Sequence, residues 1–320
     1  MPLPKPFQFS ASSLQDYVDC PRRFQLRYLL QVSWPAPEAV PMDERERRTR
    51  LAREFHHLVH QRLLGLPLEA LSASIHDPEL ERWWRAYLAY IPALRGARIL
   101  PEVALSTPLA GHRLRAQYDA IAIRDGSPVE DEETAEAALE RPAPLLIVDW
   151  KTYRRRPTRG WLAKRLQTRV YPAVLVQAGV SLVGQPTSSG PGPLLEPEDV
   201  EMRYWFAEYP LQPTSFGYDA PSYQADIAYV SALITEIAAR IDEAERGAKT
   251  SGKSASDEIW PLTSDLHECR YCNYRSLCGR GDVAGPLDET IAVEDQDDRA
   301  AGAGDLDFDL SWDQVQEIAY

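Results

Sequence analysis

Residues 145–171 read Leu145-Leu-Ile-Val-Asp149-Trp150-Lys151-Thr-Tyr-Arg-Arg-Arg-Pro-Thr-Arg-Gly-Trp-Leu-Ala-Lys-Arg-Leu-Gln167-Thr-Arg-Val-Tyr171. The opening apolar run is long enough for one buried strand and stops abruptly at Asp-x-Lys. Alternate residues of a strand share a face, so Asp149 and Lys151 project together from its end. A carboxylate in that position can hold a hard cation such as Mg²⁺. An ammonium beside it can orient a water or offset charge on a phosphate. Arg154, Arg155, Arg156, Arg159, Lys164, Arg165 and Arg169 follow at once, a phosphate-attracting surface next to a candidate metal site. Gln167 and Tyr171, four apart, share a face of the helix predicted over 160–178. Pro172 lies inside that helix and predicts a kink after Tyr171. Taken alone, Asp-x-Lys at a strand end is most often a surface ion pair, so the rest of the chain has to decide.

Upstream, the segment 99–123 reads as a hairpin. Ile99–Leu109 contains Glu102, Gly111 turns, and Arg113–Ile123 alternates with Asp119 near its middle. A carboxylate within an apolar strand is costly unless it is paired or binds a metal. Residues 78–92 carry Leu80, Trp83, Trp84, Tyr87 and Leu88 at helical spacing, an aromatic stripe assigned to the core. Residues 43–65 predict a helix ending at Gly65. Its first half is basic, and its second half holds Phe55-His56-His57-Leu58-Val59-His60. His56 and His60 share a face, but spacing alone does not choose among His56, His57 and His60 as a ligand. At the start, Ser10 or Ser12 can cap a first helix and Pro21 suits the first turn of a second. Cys20 falls in the corner between them.

Downstream, residues 185–198 are rich in Pro, Gly and Ser and predict a loop; Val200–Tyr209 alternates as a strand, and 220–246 predicts a long helix. Gly247-Ala-Lys-Thr-Ser-Gly252-Lys253-Ser254 matches a phosphate-loop pattern. That motif needs a preceding strand and a following helix, so a flexible linker is the expectation here. Hairpin, single strand with following helix, and further strand, all flanked by helices, predict an α/β or α+β core with a mixed sheet.

The net charge of −13 argues against a nucleic-acid partner until its location is considered. Residues 281–320 hold twelve acidic side chains against Arg299 alone, and Glu130-Asp-Glu-Glu marks an acidic insertion over about 125–143. Local patches rather than net charge set phosphate binding, so the remaining body keeps that capacity. The expected division is a single domain over 1–280 and an acidic, disordered tail over 281–320 with a short apolar terminal segment around Phe308, Trp312 and Val315. No apolar run approaches the roughly 20 residues of a membrane span. Met-Pro-Leu-Pro-Lys-Pro-Phe has no apolar signal core, so the expectation is a cytoplasmic protein with no membrane partner. The four cysteines are Cys20, Cys269, Cys272 and Cys278. Without an export signal they favour a metal or cluster over disulfides. One C-x2-C pair and two single cysteines favour a 4Fe–4S cluster over Zn²⁺.

Together these stretches resemble the PD-(D/E)XK nuclease superfamily, and within it the RecB-like iron–sulfur group of AddB-type nuclease domains and small CRISPR-associated exonucleases. Ser10-x-Ser12-x4-Tyr17-x2-Cys20-Pro-x2-Phe24 looks like the family's opening motif. Phe55-His56 resembles the motif with the metal-ligand His, with Ala52 where Gly is usual. Tyr118-Asp119 resembles the Gly-x-x-Asp strand, Asp149-x-Lys151 the (D/E)-x-K core and Gln167-x3-Tyr171 the Q-x3-Y motif. The four cysteines match the cluster ligands. The resemblance implies a restriction-endonuclease-like sheet and metal-dependent hydrolysis of DNA, single-stranded or at ends. His56, Asp119, Asp149 and the Trp150 carbonyl would hold Mg²⁺ or Mn²⁺, and Lys151 would position the water or stabilise the transition state. Gln167 and Tyr171 would brace the Asp-x-Lys turn and contact DNA, with Glu102 a supporting carboxylate. Repair or CRISPR spacer acquisition is the implied setting, with a helicase or CRISPR adaptation protein as partner. The rivals are a non-catalytic DNA-binding module, a zinc-stabilised interaction protein and a phosphate-loop ATPase.

Overall fold

A computed structural model describes residues 7–32, 42–94, 96–124, 145–183, 195–251, 256–270 and 272–281. The acidic insertion at 125–143, most of the Pro/Gly/Ser loop and the tail beyond 281 lie outside the described residues. In order, the elements are β1 (Phe9–Ser10), α1 (Ala11–Asp19), α2 (Pro21–Phe24, prolonged by a wider turn over Gln25–Leu29), α3 (Met42–Leu63), α4 (Leu68–Ala73), α5 (Pro78–Tyr90), β2 (Ala97–Leu109) and β3 (His112–Arg124). Then come β4 (Leu145–Lys151), α6 (Arg159–Lys164), α7 (Leu166–Ala178), α8 (Val180–Val183), β5 (Val200–Phe206), β6 (Thr214–Gly217), α9 (Ala220–Ser251) and α10 (Ser256–Ile259).

The sheet is mixed and β3 is its hub. The long strand β2 pairs antiparallel along one whole edge of β3, through a two-residue turn in which Ala110 and Gly111 both have positive φ, the geometry that matches strand twist in tight hairpins. The other edge of β3 is shared. Parallel β1 takes Leu114 and Arg115, and antiparallel β4 takes Ala120 to Ile123. Beyond β4 the order continues to parallel β5 and antiparallel β6. The predicted mixed α/β core is therefore present.

Alternation along the strands divides the buried residues between two cores. Leu145 and Ile147 of β4 face the core formed with α1, α7 and α9. Leu146, Val148 and Trp150 face the core formed with α3 and α5, where Trp83, Trp84 and Tyr87 are fully covered, as their spacing predicts.

Three local expectations change. The helix over 160–178 is interrupted at Arg165, whose backbone is extended (ψ 140°), and the helix that follows runs on through Pro172. The break falls there because the first amide of α7, Leu166 N–H, donates to the Gln15 side chain of α1 at 3.0 Å, which caps a new helix start. The phosphate-loop look-alike is no linker at its start, since α9 continues through Ser251. Strand β5 ends at Phe206 rather than Tyr209, because residues 209–212 turn toward β6.

Candidate active site

The sheet opens where β3 and β4 part. Their last pair is Ala120 with Val148. Asp149, Trp150 and Lys151 continue β4 beside β5 alone, opposite Tyr204, Trp205 and Phe206. The Trp150 N–H that the ladder leaves over donates to Asp119 Oδ2 at 2.8 Å. A carboxylate thus replaces a backbone acceptor and holds the opening. A buried amide needs such a partner, which accounts for Asp119 inside an apolar strand.

Each side of the sheet supplies one half of the site. From the α3 side, His56 Nδ1 lies 3.5 Å from Asp119 Oδ1. Phe55 beside it is fully buried and stacks on Trp205 at 6.1 Å, so the helix cannot turn without breaking the core. From the α7 side, Gln167 Nε2 donates to Asp149 Oδ1 at 2.6 Å, and Lys151 Nζ lies 3.0 Å from Asp149 Oδ2. Asp149 and Lys151 share a face as their spacing requires. The Lys151 ammonium also sits over the rings of Tyr153 and Tyr204, at 5.8 and 5.9 Å, which limits its motion.

Charge is strongly coupled across this opening. Burial alone would lower the His56 imidazole, but the Asp119 carboxylate, with Asp149 behind it, holds its proton and the net shift is upward. Burial pushes Asp119 up, but His56, the Trp150 N–H and Lys151 outweigh it, so Asp119 stays below the usual carboxylate range. Glu102, opposite Asp119 across the hairpin, is raised by burial and by the Asp119 charge. Its backbone is left-handed, φ 50°, which is rare outside Gly, Asn and Asp. Gln117 Nε2 holds its carboxylate at 3.0 Å.

Tyr171 is buried, its ring 5.1 Å from that of Tyr118, and its carbonyl accepts the Tyr118 hydroxyl at 2.9 Å. It supports the residue beside Asp119 from within the core. His57 is exposed on α3, and His60 lies one turn beyond His56, within electrostatic reach of Glu102.

The basic stretch splits in two. Arg156 donates to the Gln212 carbonyl and Thr214 Oγ1, both at 2.9 Å. Arg159 donates to the Ser215 carbonyl and lies 4.4 Å over Phe216. Arg165 lies 4.8 Å over Trp161, and Arg169 bonds Asp226. These guanidiniums tie α6 and α7 to their neighbours. Arg154, Arg155 and Lys164 stand exposed.

Spacing gave no sign of one further brace. Arg48 of α3 donates to the Thr152 carbonyl at 2.8 Å and ion-pairs with Glu79, with Trp83 beneath it at 5.3 Å. Glu208 receives the Trp83 indole N–H at 2.9 Å, and Ala207 N–H donates to the Lys151 carbonyl at 2.8 Å. The end of the Asp-x-Lys strand is therefore fixed from three elements.

The four cysteines are free thiols, gathered where the first and last described segments meet. Cys20 caps the corner of α1 and α2. Cys278 is pushed up to about 11 by burial and by the neighbouring Cys272, Cys20 and Cys269. As the side chains stand, no three His, Cys, Asp or Glu among the described residues form a ready metal-holding group. The donor chemistry at the strand opening, two carboxylates and one imidazole, nevertheless suits Mg²⁺ or Mn²⁺. Four thiols suit iron–sulfur or zinc.

A mixed sheet split at an Asp-x-Lys strand, with a second Asp and a His at the split, defines a class of metal-dependent phosphodiester hydrolases. The family model of the PD-(D/E)XK nuclease superfamily matches residues 8–130 and 137–279, and this chain belongs to that superfamily. It is a nuclease, and nucleases of this superfamily generally use Mg²⁺ or Mn²⁺. Among solved structures, a putative exonuclease from Eubacterium rectale is similar at 10% identity and TM-score 0.40, covering 72% of this chain and 79% of its own. The crystal structure of SSO0001 is similar at 12% identity and TM-score 0.33, covering 87% and 88%. No curated protein matches the sequence. No helix among the described residues is long and apolar enough to cross a membrane.

Proposed function

We propose that this nuclease is a Mg²⁺- or Mn²⁺-dependent exonuclease acting on single-stranded DNA or DNA ends. The observation that carries the reading is the meeting of His56, Asp119, Asp149 and Lys151 where β3 and β4 part. His56, Asp119, Asp149 and the Trp150 carbonyl would hold the cation. When bound, the cation polarises the scissile phosphate and acidifies a water for attack. The chain's own groups do the rest. Asp119 keeps the strands apart through the Trp150 N–H, and Gln167 fixes the orientation of Asp149. Lys151 places a positive charge where negative charge grows in the transition state. Arg154, Arg155 and Lys164 attract the phosphate backbone.

Cys20, Cys269, Cys272 and Cys278 are proposed to hold a 4Fe–4S cluster, with Zn²⁺ the alternative. Their shared electrostatic environment at the junction of the first and last described segments supports this. The resemblance to the RecB-like group supports a setting in repair or CRISPR spacer acquisition, beside a helicase or adaptation partner.

The test is an anaerobic assay on end-labelled single-stranded DNA and on a closed single-stranded circle, with Mn²⁺ or Mg²⁺. The parent protein is compared with Lys151→Ala. Cleavage of the linear strand and not the circle, with kcat about 10²–10³-fold lower in the variant, is expected. Cleavage of the circle would show an endonuclease. DNA binding without cleavage by either protein would return the reading to a binding module or to a subunit that needs a motor.

A further inference from the structure

The row of polar side chains on β3 extends past the candidate active-site opening. Residues Leu114, Ala116 and Tyr118 are buried in the core with α1 and α7. Their alternate neighbours Arg113, Arg115, Gln117 and Asp119 therefore lie on the opposite face of the hairpin. Across the ladder, Pro108 stands opposite Arg113, Ser106 opposite Arg115 and Ala104 opposite Gln117. Arg113, Ala104 and Pro108 are exposed, and Arg115, Gln117 and Ser106 are partly so. Among the described residues, the core with α3 and α5 reaches only Ala97, Ile99, Ala120 and Ala122 of this hairpin. Among them, the stretch from Asp119 back to Arg113 is thus an open polar floor that begins at the candidate metal site.

Its side chains are already aligned. Arg113 Nη1 donates to Ser106 Oγ at 2.7 Å. Arg115 Nη2 donates to Gln117 Oε1 at 3.1 Å, and Gln117 Nε2 donates to Glu102 at 3.0 Å. The strand rise places Arg115 about 13 Å and Arg113 about 20 Å from Asp119. Two guanidiniums about 7 Å apart on one line leading from the candidate metal site are complementary to a polyanionic strand.

We infer that the open face of the β2–β3 hairpin is a second nucleic-acid track, in which Arg115 and Arg113 bind successive backbone phosphates of a single strand leaving the site. This inference rests on the nuclease reading and extends its substrate surface to residues outside the Asp-x-Lys segment.

The test uses the full chain without divalent metal and fluorescein-labelled oligothymidylates of increasing length, titrated over a range of salt. Parent protein is compared with Arg113→Ala/Arg115→Ala and Arg113→Lys/Arg115→Lys. Loss of two single-strand phosphate contacts should flatten the log K against log [salt] slope by about 1.4. It should also shorten the strand length at which affinity stops rising. The Lys pair should restore most of the slope, which a structural role for Arg115 in holding Gln117 would not do. Circular dichroism checks that each variant is folded, and the exposed Arg113→Ala single variant should lose about half the slope change. If the parent binds here and cleaves in the separate Mn²⁺ or Mg²⁺ assay while the Ala pair keeps its slope and length dependence, the track is wrong and the proposed function stands. If the parent neither binds here nor cleaves DNA in that assay, the proposed function falls and the track with it.

Discussion

At His56 two demands on one imidazole compete. The Asp119 carboxylate 3.5 Å away favours the protonated ring, whereas a metal requires the neutral one. Because the shift is upward, protons compete for this ring at a higher pH than at an ordinary histidine. Mn²⁺ affinity should therefore weaken as pH falls, beginning above the ordinary histidine range and levelling off once the ring is fully protonated. Calorimetric titration of Mn²⁺ across pH should show that step in the parent protein. His56→Asn should bind Mn²⁺ more weakly and lose it; an unchanged step would assign the proton elsewhere. Lys151 is constrained differently, by Asp149 and two aromatic rings. Its loss should act on turnover more than on binding. Glu102 combines a strained backbone with a carboxylate raised by its neighbour Asp119, and strain of this kind persists where surrounding structure over-determines it.

Helix α7 does for the site what a loop could not. It begins on a side-chain cap from α1, through Gln15. It delivers Gln167 to Asp149 and Tyr171 to Tyr118 from one face, four residues apart. The two strands that hold the carboxylates are therefore braced by the same rigid element. Gln167→Ala leaves a buried carboxylate oxygen without this amide donor, at a cost of about 1–3 kcal/mol in stability. It should also lower Mn²⁺ affinity or activity about 10–100-fold. Urea unfolding and Mn²⁺ titration separate the two effects, and a variant that unfolds earlier yet binds Mn²⁺ normally would confine Gln167 to a structural role. The basic stretch beside α7 shows how position redirects a residue. Arg156 and Arg159 belong to the expected phosphate-attracting stretch, and their guanidiniums also lie against backbone carbonyls and aromatic rings beside β6. Sequence marks the cations and cannot say which of them the fold has already used.

Over the whole molecule, the first and last described segments are packed together. Phe24 stacks on Trp260 at 6.0 Å, Arg22 N–H donates to the Pro261 carbonyl, and the Tyr274 hydroxyl donates to the Val32 carbonyl at 3.0 Å. Tyr17 reaches Glu236 of α9 at 2.6 Å. These contacts hold the junction apart from any cluster. On the proposed 4Fe–4S reading, Cys278→Ser should abolish the brown colour, iron and acid-labile sulfide and make the segment after Pro261 more sensitive to protease. The far-UV circular dichroism of the sheet and helices should remain. Retained iron and sulfide would remove Cys278 from the ligand set, and bound zinc without iron in the parent would replace the cluster with a zinc site.

The sequence by itself determined the chemistry and the local order. The apolar run ending in Asp149-x-Lys151, the hairpin around Asp119, the Gln167-to-Tyr171 spacing and the buried Trp83, Trp84 and Tyr87 stripe are short-range patterns, and period and residue type carry them directly. Only the tertiary structure decided that β3 and β4 part beside Asp119, that Arg48 reaches Thr152, and that Gln15 starts a helix 151 residues away. It also decided which arginines face solvent and that Arg113, Arg115 and Gln117 lead to the site. These are contacts between elements remote in sequence, set by how two cores close on opposite faces of one sheet, and no local pattern encodes them.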